Sequence, residues 1–281
     1  MRVSTICLAV TTALLFAAAA PFAQDKPAEF GLAVYKPGEK YATDEQAGEA
    51  IDKLAGHLSG EKATFKRRGV RNNPADALKL FKDDKQPVAV GIVSPAFYFA
   101  NKEALKLTAL AEARRGNADG ARYTLVGATT AEKYPEGKRI ATSFSVEKEW
   151  LNRVVLPAPE NAKPVQWVQY DNLFDAAYEI IDGEDDAPDF VLADSISLQA
   201  MQKDADLKVL KHGLQSELLP QDLVVEVDSR LGTARDSLLK ALTELDKSEA
   251  GKKVGELIQS PTFQKPDAAR LEKAGKLWAE K

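Results

Sequence analysis

The clearest hydrophobic pattern in the chain is the uninterrupted apolar run Val88–Val93. A run of this length without polar alternation is typical of a strand that is covered on both faces, as in a parallel sheet. Ser94 follows at the position of a helix N-cap, and Pro95 follows at the first helical position. The pattern therefore predicts a strand that leads into a capped helix over residues 96–105.

The same alternation of short strands and amphipathic helices continues on both sides of this unit. Strands are predicted at residues 30–35, 63–67 and 107–113, and helices at residues 43–59 and 73–81. The first of these helices begins with the capping-box pattern Thr-Asp-Glu-Gln at Thr43. The resulting order β-α-β-α-β-α-β predicts an α/β layer of the parallel type.

A second series of the same kind follows a polar, glycine-containing break at residues 114–122. Its predicted strands are residues 123–128, 139–142, 165–170, 190–193 and 207–210. Its predicted helices are residues 146–155, 172–181 and 196–202. Ser143 and Ser145 offer hydroxyls at the start of the first helix, and Asp194 caps the last. The architecture thus occurs twice, although no close sequence repeat accompanies it.

The remaining chain contains a strand within residues 217–227 and then helices at residues 233–245, 249–258 and 267–278. Three helices without strands cannot form a sheet layer of their own. We therefore expect them to pack against one of the two layers that precede them.

Composition narrows the class of protein. The 281 residues are 44% hydrophobic and 28% charged, with a net charge of −4, which is typical of a soluble globular protein. Neither a basic patch nor an aromatic-basic platform indicates a nucleic-acid partner. The two histidines, His57 and His212, are far apart in sequence, so no metal site is predicted. No catalytic or phosphate-loop motif is present, and we expect neither enzymatic activity nor a cofactor.

The N-terminus has the pattern of a secretory signal. Arg2 precedes an apolar stretch at residues 6–20, and small residues lead to a predicted cleavage site near Ala23. Cleavage there would remove Cys7, the only cysteine, so the mature chain would contain no thiol. No later stretch approaches the roughly 18 apolar residues of a membrane helix. We therefore expect a periplasmic protein whose signal peptide, residues 1–23, is removed.

Three short motifs resemble those of the phosphate/phosphite/phosphonate-binding family of ABC transporter components, within the type 2 periplasmic solute-binding proteins. The first is the segment from Ser94 to Tyr98, which keeps the proline and tyrosine of the family but has Ser94 in place of a glycine. The second is the turn Thr142-Ser143-Phe144-Ser145, which lacks the family's final glycine. The third is the strand at residues 189–194, which has an aspartate at each end.

The resemblance implies a two-lobed α/β fold in which each lobe is a mixed, mostly parallel sheet flanked by helices. Residues 28–120 and 221–281 would form the first lobe, with the C-terminal helical segment packed on it, and residues 121–220 the second. It also implies a monomer that captures a small oxyanion between the lobes for an ABC transporter permease. The alternative is a sensory or accessory interaction module with the same fold and no role in transport.

Six residues are candidates for contact with the anion, because hydroxyls and helix starts are common donors to oxyanions. They are Tyr35, Ser94, Tyr98, Ser143, Ser145 and Asp194. Each has a structural alternative: the serines and Asp194 can simply cap helices, and Tyr98 can belong to the core. Asp194 could also pair with an amine or with a protonated phosphoryl oxygen of the solute.

Overall fold

The computed structural model describes residues 27–37, 44–115 and 119–280. The predicted signal peptide and the capping residue Thr43 lie outside these ranges. Among the described residues, no helix is both long and apolar enough to cross a membrane. Two mixed sheets flanked by helices organise the described chain, which confirms the predicted α/β class.

The first sheet has the strand order β11-β4-β10-β3-β1-β2. Its strands are β1 (Ala28–Tyr35), β2 (Ala63–Arg71), β3 (Val88–Val93), β4 (Leu107–Arg114), β10 (Leu223–Val227) and β11 (Thr262–Gln264). Strand β1 is parallel to β2 and β3, whereas β10 is antiparallel to β3 and β4. The central position of β3 explains its continuous apolar sequence, since all six of its residues are buried.

The second sheet has the strand order β7-β6-β8-β5-β9. Its strands are β5 (Tyr123–Gly127), β6 (Arg139–Thr142), β7 (Gln166–Gln169), β8 (Phe190–Asp194) and β9 (Lys211–Gln215). Strand β6 is parallel to β7 and β8, and β5 is antiparallel to β8 and β9. A bridge between Ala121 and Leu219 joins the two segments of chain that pass between the sheets.

Helices cover both faces of each sheet. They are α1 (Asp44–Leu58), α2 (Pro74–Phe81), α3 (Pro95–Asn101), α4 (Lys148–Trp150), α5 (Leu173–Asp182), α6 (Ser195–Lys203), α7 (Ala234–Thr243), α8 (Glu249–Leu257) and α9 (Ala268–Ala279). Helices α1, α7 and α8 share one apolar core with the first sheet, and α2 and α3 contribute to the core on its other face. Helices α5 and α6 cover one face of the second sheet.

The structure corrects two predicted elements of the second series. Residues 207–210 are not a strand: Leu207–Val209 is a short 3-10 turn, and the strand lies at Lys211–Gln215. The Asp204 carboxylate accepts the N–H groups of Asp206 and Leu207 and thereby starts this turn. Residues 146–155 are not one helix either, because a 3-10 turn (Ser145–Glu147), α4 and a π-helical segment (Leu151–Val155) succeed one another.

The C-terminal segment also differs from the prediction. It is not free of strands, because Thr262–Gln264 pairs with β4 at the edge of the first sheet. Helices α7 and α8 pack on the first sheet, as expected. Helix α9 contacts both layers: Arg270 forms an ion pair with Glu112 of β4, while Trp278 packs against Trp150 beside the second sheet.

Candidate functional site

A cavity of about 400 Å³ lies between the two sheets, at the ends of several strands. A volume of this size falls in the range of about 300–1,000 Å³ that is usual for small-molecule sites. Its polar and charged lining side chains are Lys36, Ser94, Arg115, Arg122, Tyr123, Ser143, Glu147, Asp171, Asp194, Ser195, Ser197, Gln221, Asp222 and Gln259. Three of the six predicted residues, Ser94, Ser143 and Asp194, are therefore in the cavity wall.

Ser94 has the predicted capping role and a second contact that was not predicted. Its hydroxyl oxygen accepts the N–H of Phe97 at 3.1 Å, which caps α3. The same hydroxyl donates to the carboxylate of Glu147, which belongs to the other sheet's layer. Tyr35, at the end of β1, does not line the cavity, but its phenol donates to the same carboxylate oxygen at 3.1 Å.

Glu147 is the central acidic group of this site. Burial raises the pKa of Glu147 to about 7 from its ordinary 4.5. The hydrogen bonds from Ser94 and Tyr35 lower this pKa, and the negative charge of Asp222 raises it. Burial also raises the pKa of the Tyr35 phenol, with the charge of Glu147 adding to the effect, so the phenol remains a donor at neutral pH.

A second polar cluster, formed by Lys36, Arg115 and Asp222, lies where the chain passes between the sheets. Asp222 accepts Arg115 Nη2 at 2.9 Å and lies 3.5 Å from the Lys36 ammonium. Lys36 is only 4% exposed and also donates to the carbonyl of Ile258 at 2.7 Å and to the hydroxyl of Ser260 at 3.0 Å. One carboxylate thus interacts with two cations of the cavity wall.

The turn that contains Ser143 and Ser145 is held by Gln169 at the end of β7. The Gln169 side-chain oxygen accepts both the N–H and the hydroxyl of Ser145, and its amide donates to the carbonyl of Ser143. The following 3-10 turn has no side-chain cap, so the expected hydroxyl-capped helix start is wrong at this place. The Ser145 hydroxyl is directed to Gln169, whereas Ser143 lines the cavity.

The two other predicted residues have clear structural roles. The Asp194 carboxylate accepts the N–H of Ser197 at 2.7 Å and caps α6 while it lines the cavity. Tyr98 does not line the cavity and packs between two apolar cores, with its ring centroid 5.1 Å from that of Phe99. Contact of any of the six residues with a solute stays a prediction.

The charges in the cavity wall are close to balance. The cations are Lys36, Arg115 and Arg122, and the carboxylates are Glu147, Asp171, Asp194 and Asp222. In addition, the first turns of α5 and α6 form part of the wall, and such turns contain N–H groups without intrahelical partners. The site therefore offers donors for an oxyanion together with acceptors for a protonated group.

Sequence reasoning did not select Glu147, Arg115 or Asp222. Glu147 stands two positions after the predicted Ser145, but its partners Tyr35 and Ser94 are 112 and 53 residues away. Arg115 and Asp222 each flank a strand of the first sheet, and nothing local distinguishes them from solvated surface charges. Among the described residues, no group of histidine, cysteine, aspartate and glutamate side chains is arranged to hold a metal ion.

No family model matches this chain, and no curated protein matches it. Several solved structures, however, are similar to this chain in fold. XAC2383 from Xanthomonas citri bound to ATP is similar with a TM-score of 0.65 and 9% identity over 89% of this chain and 97% of that one. A binding protein component of an ABC phosphonate transporter from Pseudomonas aeruginosa is similar with a TM-score of 0.60 and 13% identity, over 90% of this chain and 86% of that one.

The periplasmic aliphatic sulphonate binding protein SsuA from Escherichia coli is similar with a TM-score of 0.52 and 10% identity, over 90% of this chain and 87% of that one. Such low identities establish the fold alone. The chain has the two-sheet α/β fold of periplasmic solute-binding proteins.

Proposed function

We propose that this chain is an exported, non-catalytic solute-binding protein that captures a small oxyanion in the cavity between its two sheets. Phosphate, phosphite and phosphonate-like compounds are the solutes that we propose, and an ABC transporter permease is the proposed partner. The observation that carries the proposal is the cavity itself, whose wall contains Ser94 and Ser143 together with Arg115 and Arg122.

The fold neighbours support this class of solute. XAC2383 is bound to ATP, and the other two proteins are described as binding components for phosphonate transport and for aliphatic sulphonate. Phosphates, phosphonates and sulphonates all contain tetrahedral phosphorus or sulfur oxyanion groups. Guanidinium groups suit such oxyanions because their planar N–H donors match two oxygens at once. Hydrogen bonds to a charged acceptor contribute about 1.5–3 kcal/mol each, so a few of them suffice for micromolar affinity.

The carboxylates of the cavity restrict the class of solute that we propose. Asp171 and Asp194 would repel a solute that carries only negative charge, but they would stabilise an ammonium group or a protonated oxygen. We therefore favour a solute that combines one oxyanion group with a hydrogen-bond donor, such as an aminoalkyl-phosphonate. The volume of about 400 Å³ leaves room for such a substituent.

The proposed lobes are residues 28–120 with 221–281, and residues 121–220. The bridge between Ala121 and Leu219 lies at their proposed boundary. Relative rotation of the lobes about these crossings would open the cavity, as in other hinged binding proteins.

The test is a thermal-unfolding panel of the purified protein with phosphate, phosphite, methylphosphonate, 2-aminoethylphosphonate, sulfate and acetate. A solute present at one hundred times its dissociation constant stabilises the folded state by about 2.7 kcal/mol, which is readily detected. The double variant Arg122→Gln/Ser143→Ala should lose this stabilisation, because both side chains line the cavity. The matched control Lys208→Gln removes one exposed cation outside the cavity and should retain it.

A panel in which no oxyanion raises the unfolding temperature contradicts the proposal. A double variant that responds as strongly as the wild type contradicts the proposed site. Either result would favour the alternative of an interaction module with the same fold.

A further inference from the structure

Glu147 is placed where it competes for the donors that an oxyanion would use. Its carboxylate comes from the layer of the second sheet, directly after the turn of Ser143 and Ser145. The hydroxyls of Tyr35 and Ser94, which both donate to this carboxylate, come from the ends of β1 and β3 in the first sheet. The chain therefore places its own anion between the two sheets.

These hydrogen bonds use up the donor capacity of both hydroxyls. A serine or tyrosine hydroxyl has a single proton to donate. Tyr35 is fully buried and Ser94 is 4% exposed, so bulk water has little access to either group. Of the two residues, only Ser94 lines the cavity. A solute oxygen can accept from the Ser94 hydroxyl only after the Glu147 carboxylate has moved away or has lost its charge.

Among the described residues, no lysine or arginine forms an ion pair with Glu147. The other charged and titratable groups beside Glu147 or in the cavity wall are Tyr35 and Lys36 from the first layer, Arg115, Arg122 and Asp222 from the crossings, and Tyr123, Asp171 and Asp194 from the second layer. Arg115 and Lys36 are both engaged by Asp222, whose charge adds to that of Glu147. An incoming anion therefore meets a negative group beside the donors that should attract it.

We propose that Glu147 is an internal competitor of the solute's anionic group and that it determines which oxyanions the cavity accepts. This inference rests on the proposed function. Ionised Glu147 disfavours solutes that are purely anionic and occupies the hydroxyls of Tyr35 and Ser94. Neutral Glu147 removes the repulsion and becomes a donor itself. Because burial raises the pKa of this carboxyl group to about 7, the change from one state to the other falls near neutral pH.

The test is calorimetric titration with methanesulfonate, a monoanion that does not itself titrate between pH 5.5 and 8.5. We expect the wild-type affinity to rise at least tenfold as the pH falls across this interval. Glu147→Gln keeps the shape of the side chain without its charge, and should bind at least tenfold more tightly than the wild type at pH 8.5. Its affinity should show no such pH dependence. Glu147→Ala, which also releases the two hydroxyls, should behave in the same way.

The matched control is Glu149→Gln, an equal change of charge two residues away. Glu149 is exposed, pairs with Arg153 and does not line the cavity. The affinity of the Glu149→Gln variant for methanesulfonate, and the pH dependence of that affinity, should equal those of the wild type. Circular dichroism establishes that each variant is folded before the titration.

Two outcomes overturn the inference and are distinct from each other. If wild type and both Glu147 variants bind methanesulfonate equally at every pH, Glu147 is no competitor, while the proposed function stands. If neither methanesulfonate nor phosphate, phosphite, methylphosphonate or 2-aminoethylphosphonate binds to any variant at any pH, the proposed function fails together with the inference.

Discussion

Replacement of Glu147 by glutamine should change how the stability of the protein depends on pH. In the folded protein this carboxyl group has a pKa of about 7, compared with an ordinary value of 4.5. The folded state therefore binds the proton more tightly than the unfolded chain does. The stabilisation by protonated Glu147 is fully present below pH 4.5 and is lost as the pH rises through 7.

The size of this effect follows from the two pKa values. A pKa difference of about 2.5 corresponds to about 3–4 kcal/mol, because each pKa unit is equivalent to about 1.4 kcal/mol. This is a large share of the 5–15 kcal/mol or so by which folded proteins are usually stable. The glutamine variant cannot titrate at this position. Its free energy of unfolding minus that of the wild type should therefore increase by about 2–3 kcal/mol between pH 5 and pH 8, because a small part of the change falls below pH 5.

The assay is urea unfolding at pH 5, 6, 7 and 8, followed by tryptophan fluorescence, for the wild type and the variant. Contributions from all other titrating groups cancel in the difference between the two proteins. The Glu149→Gln variant serves as control and should show a difference that does not change with pH. A difference between Glu147→Gln and the wild type that stays constant from pH 5 to 8 would refute the reasoning.

Two further predictions concern stability. Arg270→Ala should lower the free energy of unfolding by about 3–5 kcal/mol, because it leaves the fully buried carboxylate of Glu112 without its cation. Lys273→Ala removes one partner of an exposed ion pair and should lower the free energy of unfolding by less than about 1 kcal/mol. Gly251→Ala should destabilise α8 by about 1–3 kcal/mol, because the added Cβ would lie 1.8 Å from a backbone oxygen. In the matched variant Gly56→Ala, the added Cβ meets no atom within 4 Å, so this change should stabilise α1 by up to about 1 kcal/mol. Urea unfolding at one pH measures all four variants, and equal effects within either pair would contradict the packing described above.

Those parts of the fold that depend on local signals could be predicted from the sequence. The run Val88–Val93 is apolar because the strand is covered on both faces, and Ser94 caps the next helix with its own hydroxyl. The two β-α series and a strand within residues 217–227 follow from the same kind of pattern, whereas the antiparallel direction of Leu223–Val227 is seen only in the structure. Each of these signals lies within a few residues of the element that it defines.

The errors occur where tertiary contacts override the local pattern. Ser145 was expected to cap a helix, but its hydroxyl donates to Gln169, which is 24 residues further along the chain. Leu207 and Leu210 were assigned to a strand, although their spacing of three residues also fits the helical turn that buries both side chains. Side-chain partners at such distances leave no periodic trace in the sequence.

The candidate site was only partly predictable for the same reason. Ser94 and Asp194 were found because each of them caps a helix that begins in the cavity wall. Glu147 was not found, because its environment is formed by the ends of β1 and β3 in the other layer. An acidic residue that looks like a surface group in the sequence is thus the residue on which the proposed specificity depends.

The most direct test of solute binding between the sheets is anomalous diffraction from crystals soaked in methylarsonate, whose arsenic atom marks the position of a phosphonate. The account predicts one strong anomalous peak inside the cavity, placed so that the arsonate oxygens accept hydrogen bonds from Ser143 or from the guanidinium groups of Arg115 and Arg122. Anomalous peaks confined to surface lysines, with none in the cavity, would contradict it.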